Sequence, residues 1–260
     1  MKVEVLVSAV NGNVKDLAEQ INLETEAIIV NQCDEYSASE FIHNGRRIKC
    51  FAMKNRGVGL SRNTALMNAS EEICLFCDED ITLYHGYEQM ILDGFCENPS
   101  ADLLLFNVKV DERRKTYYNN RKHRVRWYNY GRYPAYAVAV KRTSLLSNRI
   151  TFSLLFGGGA KYSNGEDSLF LHDCLKSGLR IYTETREIGQ EKYRESTWFH
   201  GYTEKFFHDR GVLYHFLYNK LAILWSLQFL FRKRKIMCKD IPFRKAFALM
   251  LAGIKEAKTL

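Results

Sequence analysis

Short continuous apolar runs, separated by polar turns and amphipathic stretches, set the pattern of the first hundred residues. Val3 to Val7, Ala27 to Val30, Ile48 to Met53, Ile73 to Cys77 and Asp102 to Val108 each have the length of a buried strand. Between them lie helical patterns. Asn13 is placed to cap a helix running to about Gln20. Ser61 to Ala69 turns Ala65, Leu66 and Ala69 inward behind Leu60, and His85 to Cys96 turns Met90, Ile91 and Phe95 inward. This alternation predicts an α/β fold with a mostly parallel central sheet flanked by helices.

The character changes after Lys109. Residues 109–132 carry charged Asp111 to Lys115, then basic Arg121 to Arg126 with Trp127, Tyr128 and Tyr130 interleaved. Two readings fit that stretch: a solvated surface loop, or a surface for nucleic acid or anionic sugars. Tyr133 to Val140 reads as a strand returning to the core, Ser168 to Lys176 as a helix ended by Gly178, and Leu179 to Thr183 as a further strand. Gly157-Gly158-Gly159 permits close backbone approach or a mobile loop, without the spacing of a dinucleotide or phosphate-loop fingerprint. Residues 212–231 are largely apolar but interrupted by His215, Asn219, Lys220, Ser226 and Gln228. That makes a membrane span marginal. Arg232 to Lys235 follow at once, and Pro242 to Ala257 form a second apolar helix with basic flanks. Two such helices suit in-plane attachment to an anionic inner leaflet, or packing on the domain or on a second subunit. The expected division is 1–211 as the catalytic domain and 212–260 as a helical membrane-associating or packing region.

Composition narrows the class. The chain has 260 residues, 46% of them hydrophobic, and only three prolines, so a sizeable core is expected and a long disordered linker is not. Net charge is +8, concentrated at 109–126 and 232–235, which favours anionic partners. The seven cysteines show no framework spacing; Cys74 and Cys77 lie within an apolar run and read as buried free thiols, in keeping with a reducing compartment. Met1 to Val7 alternates and contains an acid, unlike a secretory signal.

The chemistry concentrates where Ile73 to Cys77 ends in Asp78-Glu79-Asp80. Ligands of α/β sheets bind at the carboxyl ends of strands. Adjacent carboxylates there are tolerable when exposed, or when a hard divalent cation carrying phosphate oxygens sits between them. Glu166 and Asp167 would open a later helix, whose dipole stabilises carboxylates. Asp167 reads either as simple helix-end complementarity or as a general base facing a cleft.

Four stretches in this order resemble family-2 glycosyltransferases of the GT-A nucleotide-diphospho-sugar transferase fold, particularly bacterial enzymes of capsule, O-antigen and exopolysaccharide assembly. They are Leu6-Val7-Ser8 with Ile28 to Asp34, Gly59-Leu60-Ser61-Arg62-Asn63, Cys77-Asp78-Glu79-Asp80, and Asn164 to Phe170. The resemblance implies that Asp34 contacts the nucleobase, Arg62 the diphosphate or base, and Asp78 the ribose or metal. It implies Asp80 as the main ligand of Mn²⁺ or Mg²⁺, with His200 or His208 adding an imidazole. Asp167 would deprotonate the acceptor hydroxyl with Glu166 supporting the acceptor site, giving inversion at the anomeric carbon. The implied donor is a nucleotide sugar, a UDP-sugar above others, and the implied acceptor a glycan or lipid-linked glycan. The implied location is cytoplasmic, peripheral on the inner face of the cell membrane. No nucleic-acid partner is expected, and a homo-oligomer is compatible with the sequence. Two departures stand out: Glu79 is bulkier than the usual middle residue, and no clear transmembrane pair follows. The alternatives are a non-catalytic sugar-nucleotide-binding or assembly protein, and a nucleotidyltransferase.

Overall fold

The structure is a computed structural model and describes residues 1–112, 115–192 and 201–260. Its strands are β1 (Val3–Val10), β2 (Glu26–Gln32), β3 (Ser37–His43), β4 (Arg46–Met53), β5 (Ile73–Asp78), β6 (Ile81–Leu83), β7 (Leu103–Lys109), β8 (Val138–Lys141) and β9 (Ile181–Glu191). Its α-helices are α1 (Val14–Ile21), α2 (Val58–Asn68), α3 (Tyr87–Glu97), α4 (Arg142–Ser147), α5 (Glu166–Lys176), α6 (Glu204–Tyr218), α7 (Ala222–Met237) and α8 (Phe243–Ala257).

One sheet runs β3-β4-β2-β1-β5-β8-β7-β9-β6. The block β4-β2-β1-β5 is parallel, as continuous apolar runs require when both faces are covered. Beyond β5 the sheet is mixed: β8 runs antiparallel to β5 and β7, and β7 is parallel to β9. The fold class expected from the sequence is therefore present, with a mixed rather than mostly parallel far half. In-register pairing of Ser8 with both Val30 and Asp78 aligns the carboxyl ends of β1, β2 and β5 along one edge.

Several elements differ from expectation for identifiable reasons. Strand β3 is polar and exposed along most of its length, so it carries no apolar run; it joins β4 through Asn44-Gly45, both at positive φ (48° and 75°), the geometry of a type I′ hairpin turn. Strand β9 continues through the polar stretch 184–191, because buried Glu184 is paired with Lys122 and Arg186 at 2.7 Å each. Residues 133–140 form a 3₁₀ turn at Ala135–Ala137 before the short strand β8. All seven cysteines are free, with Cys74 and Cys77 buried.

The apolar stretch 212–231 is not one helix. Asn219 adopts φ 46° and ends α6, and α7 begins three residues later. No described helix is long and apolar enough to cross a membrane. Helices α6 and α8 cross at Gly211 and Gly253: a β-carbon at Gly211 would sit 2.1 Å from the Met250 carbonyl, and one at Gly253 2.1 Å from that of His208. Position 211 thus lies inside α6, at the centre of the helical bundle.

Candidate active site

The site begins with backbone loops at the carboxyl edge of the parallel block. Asn31, at the end of β2, accepts from the Gly12 N–H at 3.1 Å and donates to its carbonyl at 2.8 Å, fixing the loop after β1. Glu79 Oε2 accepts from the Val10 N–H at 2.8 Å, so this carboxylate braces the same loop. Gln32 Oε1 accepts from the Gly57 N–H at 2.6 Å and fixes the entry to α2. Asp34 is almost fully exposed and pairs with Arg56 at 3.2 Å.

Helix α2 carries Arg62 inward, only 3% exposed. Its Nη2 lies 3.1 Å from Asp78 Oδ1, and its Nη1 lies 2.8 Å from Asp167 Oδ1 and 3.6 Å from Glu166 Oε1. Phe152 lies under the guanidinium, 5.2 Å from its ring centre, and stacks on Phe170 of α5 at 4.1 Å. Burial opposes the charge on Arg62, but Asp78, Asp167 and Glu166 together outweigh it and raise the guanidinium pKa. The strand-end acid Asp78 and the helix-opening acids Glu166 and Asp167 are thereby drawn into one ion cluster.

Glycines make that convergence possible. Gly157 and Gly159 have positive φ (105° and 80°); a β-carbon on Gly157 would lie 2.9 Å from Glu166 Cδ, and one on Gly159 2.9 Å from the Gly57 nitrogen. The Gly158 carbonyl accepts from the Val58 N–H at 2.9 Å, at the start of α2. The glycine run therefore serves close backbone packing between α2 and α5.

Helix α6 supports the site from behind. Buried Asp209 accepts from the Ser163 N–H at 2.9 Å and from its hydroxyl at 3.0 Å, and the Leu213 side chain fills the space beside Gly165 that a β-carbon would need. Helix α5 starts at Glu166, two residues earlier than its apolar pattern suggests, so both acids occupy its first turn. Burial first, then the charge of Asp167, pushes the Glu166 carboxyl up to about 7, with Arg62 opposing. Burial also raises Asp167, helped by the charge of Asp78, against the pull of Arg62 and of the nearby Ala135 backbone.

Of the predicted site residues, Arg62, Asp78, Glu166 and Asp167 meet directly, Asp80 follows two residues after Asp78, and Asp34 lies at the β2 end of the same edge. His200 lies outside the described residues. His208 sits between Asp209 and Glu256, at 3.6 and 3.2 Å, in the α6–α8 interface. Sequence reasoning missed Asn31, Gln32, Arg56 and the Ala135 backbone. The Asn-Gln before Asp34 and the Arg-Gly before α2 were visible signals, since polar residues at strand ends have backbone donors to satisfy. Among the described residues no three His, Cys, Asp or Glu side chains converge as a ready metal cage. Asp78 and Asp80 nevertheless fit a Mg²⁺- or Mn²⁺-type site, in which one or two carboxylates act with substrate phosphates.

A sequence pattern described as Glycosyl transferase family 2 matches residues 8–154. Among solved structures, the chain is similar to S. aureus TarS 1-349 in complex with UDP-GlcNAc, at 18% identity and a TM-score of 0.63, covering 92% of this chain and 74% of that one. It is also similar to the mannosyltransferase PcManGT from Pyrobaculum calidifontis in complex with GDP-Man and Mn²⁺, at 12% identity and a TM-score of 0.56, covering 99% and 87%. No curated protein matches the sequence.

Proposed function

We propose, from the premise that this chain belongs to glycosyl transferase family 2, an inverting, metal-dependent transfer of a sugar from a UDP-sugar to a saccharide or lipid-linked saccharide in surface polysaccharide synthesis. Membership makes the chain a glycosyltransferase, moving a sugar from a nucleotide donor to an acceptor. The observation that carries the finer reading is the single guanidinium of Arg62 between Asp78 and Asp167. It couples the donor half of the site to the acceptor half.

In this reading Asp34 and the braced loop after β1 bind the nucleoside, and Asp78 orients its ribose. Asp80, with Asp78, holds the divalent ion. Bound there, the ion supplies neutralisation of charge on the departing diphosphate. Asp167 takes the proton from the acceptor hydroxyl on the opposite face of the sugar. A carboxylate with a raised pKa is a better base than an ordinary one, and Arg62 fixes its direction. Glu166, partly protonated near neutrality, supports the acceptor hydroxyl. One in-line displacement inverts the anomeric carbon.

Peripheral membrane attachment fits the C-terminal bundle. Leu221, Ile223, Leu224 and Phe231 are exposed along α7 and the turn before it, and Arg234 and Lys235 lie on the same helix. Apolar anchors beside cations suit an anionic leaflet.

The test is a panel of UDP- and GDP-sugars with Mn²⁺, using a membrane extract as acceptor source and reading nucleoside diphosphate release. Release confined to one or a few UDP-sugars, with an inverted product, is expected. Release of pyrophosphate instead would favour nucleotidyl transfer, and no release from any donor would leave the binding-protein alternative.

A further inference from the structure

A cavity of about 930 Å³ lies between the 115–132 segment and the C-terminal helices. Four cations line it, Lys115 and Arg132 from the segment and Arg232 and Lys233 from α7, with no carboxylate among its described lining residues. Aromatic rings form its walls. Tyr214 and Tyr218 meet at 5.2 Å, and Tyr218 stacks on Trp225 at 5.2 Å; on the other side Trp127 and Tyr128 are 69% and 70% exposed and lie edge to face.

Part of the cavity lining lies against α5, the helix whose first turn carries the proposed base. Gly131 of its lining approaches Ser168, the residue after Asp167: a β-carbon there would lie 3.9 Å from the Ser168 hydroxyl. Tyr130 packs on His172 of α5. From Arg132 the chain reaches Ala135, whose backbone lies close enough to Asp167 to lower its pKa, in three residues, at most roughly 11 Å of extended backbone.

We infer that this cavity is the acceptor groove and that the acceptor is an anionic saccharide, its phosphate or carboxylate groups held by Arg132, Arg232 and Lys233 and its sugar faces set against Trp127, Tyr128 and Trp225. Sugar rings present C–H faces that pack on aromatic rings, while guanidinium and ammonium groups hold oxyanions. A neutral glycan would leave these cations unmatched; a plain lipid surface would leave the aromatic walls unused. The role as acceptor groove rests on the glycosyl-transfer reading, whereas anionic saccharide binding does not.

Calorimetry on the full chain separates the two. The probes are a phosphorylated maltohexaose, a hyaluronan hexasaccharide, neutral maltohexaose and phosphatidylglycerol vesicles, with UDP and GDP plus Mn²⁺ as donor-site controls. At least one anionic hexasaccharide should bind about tenfold tighter than the neutral one, the difference expected from two or three partly exposed ion pairs. The double variant Arg232→Gln/Lys233→Gln should erase that difference, and Trp225→Leu should weaken both classes, with nucleotide affinity unchanged in each. Equal affinity for anionic and neutral hexasaccharides overturns the inference. So does binding of vesicles alone that the double variant abolishes, which would make the patch a lipid surface. If wild-type protein binds no nucleotide but keeps the charge-dependent saccharide binding, the donor-site reading fails and the groove stands.

Discussion

Arg62 and Asp167 meet at 2.8 Å across 105 positions of sequence, and the same guanidinium reaches Asp78 at 3.1 Å. Removing one partner from a buried charge cluster strands the others and costs about 3–5 kcal/mol. Arg62→Ala should therefore lower the thermal midpoint strongly and abolish transfer. Arg62→Lys keeps the charge but not the planar fork that faces two carboxylates at once. It should recover part of the stability and little of the turnover. Wild-type turnover in Arg62→Lys would show that the fork is unnecessary.

Glu166 gives a pH signature. Its folded-state pKa is raised from 4.5 to about 7, so the folded chain holds the proton more tightly than the unfolded one. The stability this contributes is fully present below about pH 4.5 and is lost as pH rises through about 7, an effect on the order of 3 kcal/mol. Glu166→Gln cannot titrate and should flatten the profile in that window. Denaturant midpoints measured from pH 4.5 to 8 check it; an unchanged slope in the variant would assign the dependence to other groups.

Asp80→Asn should abolish Mn²⁺-stimulated release of nucleoside diphosphate, and excess chelator should do the same to the wild type. Asp167→Asn is expected to leave nucleotide affinity within about twofold while reducing transfer by at least two orders of magnitude, as loss of a general base does. Equal loss of donor affinity in Asp167→Asn would make it a donor-site residue instead.

The exposed apolar side chains of α7 predict vesicle binding. Ile223→Glu with Leu224→Glu should reduce co-sedimentation with phosphatidylglycerol vesicles by more than half at 0.15 M salt, because both apolar burial and charge attraction are lost. Retained sedimentation would move the contact off this helix.

The parallel block and the motif positions were legible because buried strands leave continuous apolar runs and strand-end acids break them abruptly. Ile73 to Asp78 is the clearest case. Strand β3 was not legible from its side chains, which face solvent along most of an edge, although Asn44-Gly45 carried the turn signal. The length of β9 was hidden because Glu184 is buried by pairing with Arg186 of its own strand and with Lys122, sixty-two positions away, and a single sequence does not reveal the distant partner. The meeting of Arg62 with Asp167 was foreseen only as a shared site. Its ion-pair geometry depends on the close approach that Gly157 and Gly159 allow. The expected boundary after residue 211 followed hydropathy, whereas the helix there follows the glycine crossing of α6 and α8.

That crossing yields the last prediction. A methyl at position 211 would meet the backbone carbonyl of Met250, which cannot rotate away as a side chain does, so Gly211→Ala must push α8 outward. Overpacking of this kind costs about 1–3 kcal/mol. Because α6 also holds the loop before α5 through Asp209 and Leu213, the displacement should reach Glu166 and Asp167 as well as the bundle. Gly211→Ala should thus lower the thermal midpoint and reduce turnover together, in a single unfolding transition. A variant that melts in two steps, with turnover intact until the second, would show instead that residues after 211 form a unit separable from the site.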